Sequence, residues 1–262
     1  AGIMTLAPHR IAYKPLTRCN IEELAAHQSA IDRRNGRYGG GIAFARKDDT
    51  PEKDVARRQI LQLLDTRMMP GHITVLTMPG LSWKFELDLL AQREPGWTKN
   101  HWTQRTRLQC VENDRFIYYS ATTKMPGNKH GFVLRTHDRP AYAEREVGND
   151  VIDRFTFANV DDLMAEGRDT FDAAWLDYTG PLTVKRLETI AKFYRERIRS
   201  TLIVTSLKAR YSHDVERAAA RHGGYCEWAV HPFADSIGLH AIEYQDGASP
   251  MFQFACRKVR HG

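Results

Sequence analysis

Short apolar runs alternate along this chain with longer segments whose apolar residues recur every three or four positions, a pattern that predicts strands separated by helices. The run ITVLTMPG (73–80) closes on Pro-Gly and predicts a buried strand. RLQCVEND (107–114) and DRFTFANVDDLM (153–164) predict two more that end on acidic and amide residues, the latter at Asp161 and Asp162. In FDAAWLDYTGP (171–181) an apolar stretch ends abruptly on Asp177 and Tyr178, and Gly180 and Pro181 stop regular structure. STLIVTSLKAR (200–210) is rich in β-branched residues and predicts a further strand. YCEWAVHPF (225–233), GLHAIEYQ (238–245) and MFQFACRKV (251–259) read as three last strands, the final pair joined as an antiparallel hairpin by DGASP (246–250).

The intervening segments carry helix signals. In TPEKDVARRQILQLLDTRM (50–68), Thr50 suits the N-cap, Pro51 the first turn, and Val55, Ile60, Leu61 and Leu64 an apolar face. SWKFELDLLAQ (82–92) has Ser82 as cap and Trp83, Phe85, Leu89 and Leu90 for packing. DRFIYYSATTKMPG (114–127), TVKRLETIAKFYRERIR (183–199) and HDVERAAARHG (213–223) predict three more, the last stopped by Gly223. Alternating β and α with nearly continuous apolar strands predicts an α/β fold: a doubly wound, mostly parallel sheet with helices on both faces and a C-terminal antiparallel hairpin. Residues 1–50 are expected to be a basic, flexible or partly helical extension, with one short helix at 20–34. Residues 51–262 are expected to form the α/β domain, with a polar insertion near 128–150.

Composition narrows the class. Of 262 residues 42% are hydrophobic and 27% charged, as in a soluble globular protein. No apolar run approaches the roughly 18 residues needed to span a bilayer, and the N-terminus lacks an apolar signal core. Cys19, Cys110, Cys226 and Cys256 are scattered without metal-ligand spacing, which points to reduced thiols, a cytoplasmic protein and no structural metal. The net charge of +6 points to a polyanionic partner, nucleic acid in the first place. The excess is concentrated in residues 1–70, which hold 12 Lys/Arg against 8 Asp/Glu.

In doubly wound sheets ligands bind beyond the carboxyl ends of the strands, so the strand ends TMPG, VEND, VDD and LDYTGP are the candidate chemistry. Gly80 lets the chain turn with its backbone close to a ligand. Glu112 can accept both hydroxyls of a ribose, and Asp162 an adenine amino group; Asp177 then faces the reactive end. Singly, each such acid is more often a helix cap or turn former. Asp177 and Tyr178 read equally as amine acceptor and base-stacking ring, or as cap and core residue. Arg34, Arg37 and Tyr38, beside the glycines at 39–41, read as a phosphate-approaching loop or as a flexible linker. Trp97 and Trp102 read as stacking or core residues.

Four polar strand ends in this order resemble the class I S-adenosylmethionine-dependent methyltransferases over about residues 52–262. The resemblance lies in the order of elements. It implies S-adenosylmethionine as cofactor, with Met78, Pro79 and Gly80 matching the methionine-binding loop, Glu112 and Asn113 the ribose site, and Asp161 and Asp162 the adenine site. The segment from Asp177 to Pro181 matches the methyl-transfer end. It further implies catalysis by Asp177 and Tyr178, with Pro181 toward the substrate, while the basic N-terminal segment offers Arg34, Arg37 and Tyr38 to a nucleic-acid substrate. The first loop departs from the family's Asp-x-Gly-x-Gly-x-Gly, having one glycine and no leading acid, and Glu86 on the next helix is the candidate replacement. That departure leaves a second reading, a degenerate domain that binds nucleic acid or protein without catalysis. The absence of GxGxxG after the first strand, and of GxxxxGK[ST], argues against a dinucleotide oxidoreductase and a P-loop NTPase.

Overall fold

The computed structural model describes residues 51–64, 71–79, 83–93, 106–113, 117–118, 121–122, 125–126, 133–134, 141–149, 151–246 and 249–258. The expected helix at 20–34, Arg34, Arg37 and Tyr38, Thr50, Gly80, Ser82 and the tryptophans at 97 and 102 lie outside these residues.

The strands are β1 (Ile73–Thr77), β2 (Thr106–Glu112), β3 (Val133–Leu134), β4 (Arg145–Gly148), β5 (Ile152–Phe157), β6 (Phe171–Asp177), β7 (Ile198–Leu207), β8 (Ile237–Asp246) and β9 (Ser249–Arg257). Among the described residues they form one sheet in the order β3-β4-β5-β2-β1-β6-β7-β9-β8. β5, β2, β1, β6 and β7 run parallel, and β9 enters antiparallel between β7 and β8. β3 and β4 fall within the polar 128–150 segment and add two antiparallel strands to the β5 edge. Among the described residues the helices with defined bounds are α1 (Pro51–Leu64), α2 (Lys84–Arg93), α3 (Val160–Glu166), α4 (Val184–Arg197), α5 (His213–His222) and α6 (Tyr225–Val230).

The two-residue period of a strand sends successive side chains to opposite faces. In β6, Ala173 and Trp175 join one core and Ala174 and Leu176 the other; in β7, Ile203 joins the first, Leu202 and Val204 the second. The first core is closed by Ile60 and Leu64 of α1 and Phe85 and Leu89 of α2. The second is closed by Leu163 of α3, Leu187, Ile190 and Phe193 of α4, Val215 of α5 and Trp228 of α6. Each such fully buried side chain contributes about 1.5–3 kcal/mol. Both faces being covered is the reason β6 carries consecutive apolar residues, Ala173 to Leu176.

The caps follow the sequence. Thr183 accepts from the Arg186 amide at the start of α4, and Ser212 from the Val215 amide at the start of α5. Gly223 ends α5 in the left-handed conformation at φ 88°.

Two expectations are corrected. Residues 225–233, expected as a strand, form α6 and a single 3₁₀ turn, His231–Phe233. Tyr225, Trp228 and Ala229 are buried at helical spacing, and β7 is already paired by β9, which leaves the segment no strand partner. A six-residue segment with five apolar residues around Glu227 is consistent with either period, and here packing against the sheet face decided. The strand expected to end at Asp161 and Asp162 ends at Phe157, and both acids lie in the first turn of α3. Asn159 caps that helix by accepting from the Asp161 amide, and acids in a first turn are favoured by the helix dipole.

Candidate active site

The ends of β1, β2, β5 and β6 open into one cavity of about 500 Å³. The parallel register keeps these ends level, with Thr77 opposite Cys110 and Glu112 opposite Phe157. Met78 and Pro79 line it after β1, Glu112 and Asn113 at the end of β2, Asn159 and Val160 after β5, and Asp177 to Gly180 after β6. The position lies where strand order reverses between β1 and β6, as expected for such sheets.

α1 and α2 cover one side of this cavity. Lys84 at the start of α2 donates to both carboxylate oxygens of Asp54 on α1, at 2.7 and 2.8 Å, and Arg57 pairs with the same carboxylate. Burial by itself raises an acid, but the two cations outweigh it and hold Asp54 below its usual range. The Phe85 ring packs against Trp175 at 4.3 Å. Beside it Glu86 is 1% exposed, lines the cavity, and its Oε1 has no hydrogen-bond partner among the described residues. Burial pushes Glu86 up to about 7, against the opposing hydrogen bonds of its own amide and of Thr77 and the nearby Arg57 charge; the Asp177 charge adds to the rise. A buried, half-satisfied carboxyl facing a cavity is suited to a cation.

The acids after β5 have a different relationship to the cavity. Asp161 is held by Arg186 of α4, which donates from Nε at 2.9 Å and from Nη2 at 2.8 Å, and by the Tyr178 hydroxyl at 3.0 Å. Neither Asp161 nor the exposed Asp162 lines the cavity; the residues that do so from this strand end are Asn159 and Val160. The Arg186 guanidinium lies over the Tyr178 ring at 4.5 Å, and its Nη1 donates to the Pro181 carbonyl at 3.4 Å. Burial and the Asp161 charge push the Tyr178 hydroxyl well above its ordinary value, so it remains a donor.

A second cavity of about 370 Å³ adjoins the first. Lys53, Arg57, Trp175, Asp177, Tyr178 and Thr179 line both, so the end of β6 is their shared wall. A small apolar cluster of Ala56, Tyr244 and Met251, with Leu207 packed against it, contributes to the second cavity. Its polar groups are Arg210, Ser249 and Asp246, the last paired with Lys53 at 3.4 Å. Trp175 is fixed by donating from Nε1 to Thr205 at 3.1 Å, and Thr205 donates in turn to Gln253.

No protein-family model matches the sequence, and no curated protein sequence matches it either. Solved structures do. Magnesium protoporphyrin IX methyltransferase (ChlM) from Synechocystis PCC 6803, with bound SAH, aligns over 88% of this chain and 94% of its own at 12% identity and a TM-score of 0.50. The chain has the class I methyltransferase fold. The delta-N METTL16 MTase domain aligns over 93% of this chain and 98% of its own, at 12% identity and a TM-score of 0.45.

On this methyltransferase fold, Met78, Pro79, Glu112, Asn113, Asp177 and Tyr178 are brought together around one cavity, and Asp161, Asp162 and Pro181 stand outside its lining. The sequence reading missed Trp175 and Arg186 as lining residues, and Tyr244, Met251 and Arg210 on the second cavity. Trp175 carried a usable signal: two positions before Asp177, it must share that residue's face of the strand. Tyr244 and Met251 carried none, because only the placement of β9 against β7 brings the hairpin beside β6.

Proposed function

We propose that the protein is an S-adenosylmethionine-dependent methyltransferase that modifies an amine of a nucleic acid. The observation that carries this reading is the pair of cavities sharing Asp177 in their common wall, an arrangement suited to two reactants meeting at one carboxylate. Support for the cofactor comes from the fold, from the ChlM neighbour's bound SAH, and from the chemistry of the larger cavity. It offers the buried, half-satisfied Glu86 for an ammonium group and Glu112 at a strand end for a diol. We assign Met78, Pro79, Glu86, Glu112, Asn113, Asn159 and Val160 to hold the cofactor. When bound, S-adenosylmethionine supplies a methyl group on a sulfonium centre.

The chain's own task is alignment, the largest contribution available to a displacement of this kind. We assign Asp177 to accept an N–H hydrogen of the acceptor amine and so aim its lone pair at the shared wall. Trp175, Tyr178 and Tyr244 line the second cavity and give it the aromatic walls that suit a planar base. Arg186 and Asp161 hold the turn that carries Tyr178. The net charge of +6, and the basic residues Arg34 and Arg37 beside Tyr38 in the sequence, favour a polyanionic acceptor.

Titration calorimetry with S-adenosylmethionine, followed by methyl incorporation into mixed-sequence RNA and DNA, tests the proposal. Heat of binding that is lost in Glu112→Ala, together with incorporation lost in Asp177→Ala, is expected. No heat at millimolar cofactor with the folded protein would refute it.

A further inference from the structure

Beyond β7 the chain turns through Lys208 to Ser212 into α5, and this turn carries two unusual residues. Arg210 has a positive φ of 59°, a conformation uncommon outside glycine, asparagine and aspartate. It is exposed, lines the second cavity, and makes no hydrogen bond or ion pair among the described residues. Elsewhere around the two cavities the cations are engaged: Lys53 with Asp246, Arg57 and Lys84 with Asp54, and Arg186 with Asp161. The next residue, Tyr211, leaves 36% of its surface exposed and, with Ile237, is one of the two large hydrophobic residues exposed among those described. Its ring is stacked on buried Tyr225 at 5.1 Å and an interplanar angle of 18°, so it is a supported platform rather than a loose side chain. Tyr225 is itself anchored: its hydroxyl accepts from the Leu182 amide at 3.3 Å and sits 3.3 Å from that of Ser206.

The two residues are adjacent in the turn: Arg210 brings a guanidinium unpaired among the described residues to the cavity that ends on Asp177, and Tyr211, the next residue and outside that cavity's lining, presents a fixed aromatic face. Successive units of a single nucleic-acid strand present the matching features, a phosphate and an unstacked base. A duplex keeps its bases stacked and paired, and offering one to Tyr211 or to the cavity costs it unstacking and unpairing energy that a single strand does not incur.

We infer that the Lys208–Ser212 turn is a docking surface for single-stranded nucleic acid. One base enters the cavity beside Asp177, its phosphate lies on Arg210, and the neighbouring base stacks on Tyr211. The inference rests on the methyl-transfer reading for the role of the cavity, but strand binding at the turn is measurable without cofactor.

The test is fluorescence anisotropy with a labelled mixed-sequence single strand and the same strand annealed to its complement, across a salt series and without cofactor. The single strand is expected to bind more tightly than the duplex. Tyr211→Ala should weaken single-strand binding roughly five- to a hundredfold, and Tyr211→Phe should retain it. Arg210→Ala should lower the slope of log affinity against log salt by about one, as expected when one phosphate is no longer neutralised. Arg210→Gly, which accepts the positive φ without strain, should do the same, so that a folding defect in the first variant cannot mimic the result. Unchanged affinity and slope in both Arg210→Gly and Tyr211→Ala would overturn the inference, as would equal binding of duplex and single strand. Tyr211-dependent strand binding in a protein that gives no heat with S-adenosylmethionine would overturn the catalytic reading and keep this one.

Discussion

The hydroxyl of Tyr178, the residue that follows β6, donates to Oδ1 of Asp161 in the first turn of α3 at 3.0 Å. Through this bond the turn after one strand is tied to the helix that follows another. Arg186 completes the arrangement by pairing with the same carboxylate while covering the Tyr178 ring. The wall shared by the two cavities is thus held from behind by a cation, a carboxylate and a phenol that are all engaged with one another.

Breaking this arrangement should cost both stability and alignment. Tyr178→Phe removes a single hydrogen bond and is expected to cost about 1 kcal/mol. Arg186→Ala leaves the Asp161 carboxylate with the Tyr178 hydroxyl but no cation, takes the guanidinium from the Pro181 carbonyl, and should cost about 1–2 kcal/mol. In a chain of this size each kcal/mol lowers Tm by about 2–4 °C, which thermal unfolding followed by circular dichroism resolves. Methyl transfer in Arg186→Ala should fall in kcat more than it rises in KM. An equal effect on both would assign Arg186 to binding instead.

Glu86 should make the protein's stability depend on pH. Its carboxyl titrates near 4.5 when unfolded and at about 7 when folded, so the folded state binds the extra proton between those values. Stability is therefore complete below about 4.5 and falls as pH rises to 7, by about 3 kcal/mol in total. Glu86→Gln should remove this slope and be the more stable protein at pH 8, as read from urea midpoints at pH 5 and 8. A parallel pH profile in the variant would show that another group is responsible. If the carboxylate meets a cation, cofactor affinity should rise about fivefold between pH 6 and 7 in the parent and stay level in the variant.

Glu112 and Asp177 should separate binding from chemistry. Glu112→Ala is expected to raise the Kd for S-adenosylmethionine roughly ten- to a hundredfold, the worth of a hydrogen bond to a charged group. Asp177→Asn should leave that Kd within about twofold while lowering kcat about 10²-fold, the scale of a misaligned reactant. Calorimetry gives the first quantity and single-turnover methyl incorporation the second. A Kd that moves in Asp177→Asn as much as in Glu112→Ala would remove Asp177 from its assigned place.

Gly167 offers a test of packing away from the site. A Cβ there would lie 2.5 Å from the Leu163 carbonyl oxygen and 3.0 Å from Nη2 of Arg197. Arg197 cannot easily withdraw, because it donates to the carbonyls of Leu163 and Asp169 at 2.8 and 2.6 Å. Gly167→Ala should therefore destabilise by about 1–3 kcal/mol, visible in urea denaturation.

Much of the framework was legible in the chain itself. β6 is a nearly continuous apolar run because both of its faces are covered, and β1, β2 and β7 likewise bury residues on both faces around a few polar positions such as Arg107 and Arg199. α4 was marked by its helical apolar spacing and α5 by its stop at Gly223, both local features that need no distant partner. The 225–233 segment was not legible, since so short an apolar stretch fits either period and only the sheet face beneath it selects the helix. The candidate site divides the same way. Glu112 and Asp177 followed from strand ends, which the pattern of apolar residues locates.

What the sequence by itself determined is the alternation of the central strands and helices and the ends of β1, β2 and β6, and therefore that Glu112 and Asp177 lie at the carboxyl edge of the sheet. Those features depend on neighbours a few residues apart. What only the tertiary structure decided is which of these groups face a cavity and which face one another. Asp161 is diverted to Arg186 across 25 positions, Glu86 is buried against β1, and Tyr244 and Met251 arrive beside Asp177 because β9 inserts next to β7. Burial and long-range pairing set the charge and contacts of a side chain, and no local pattern encodes them.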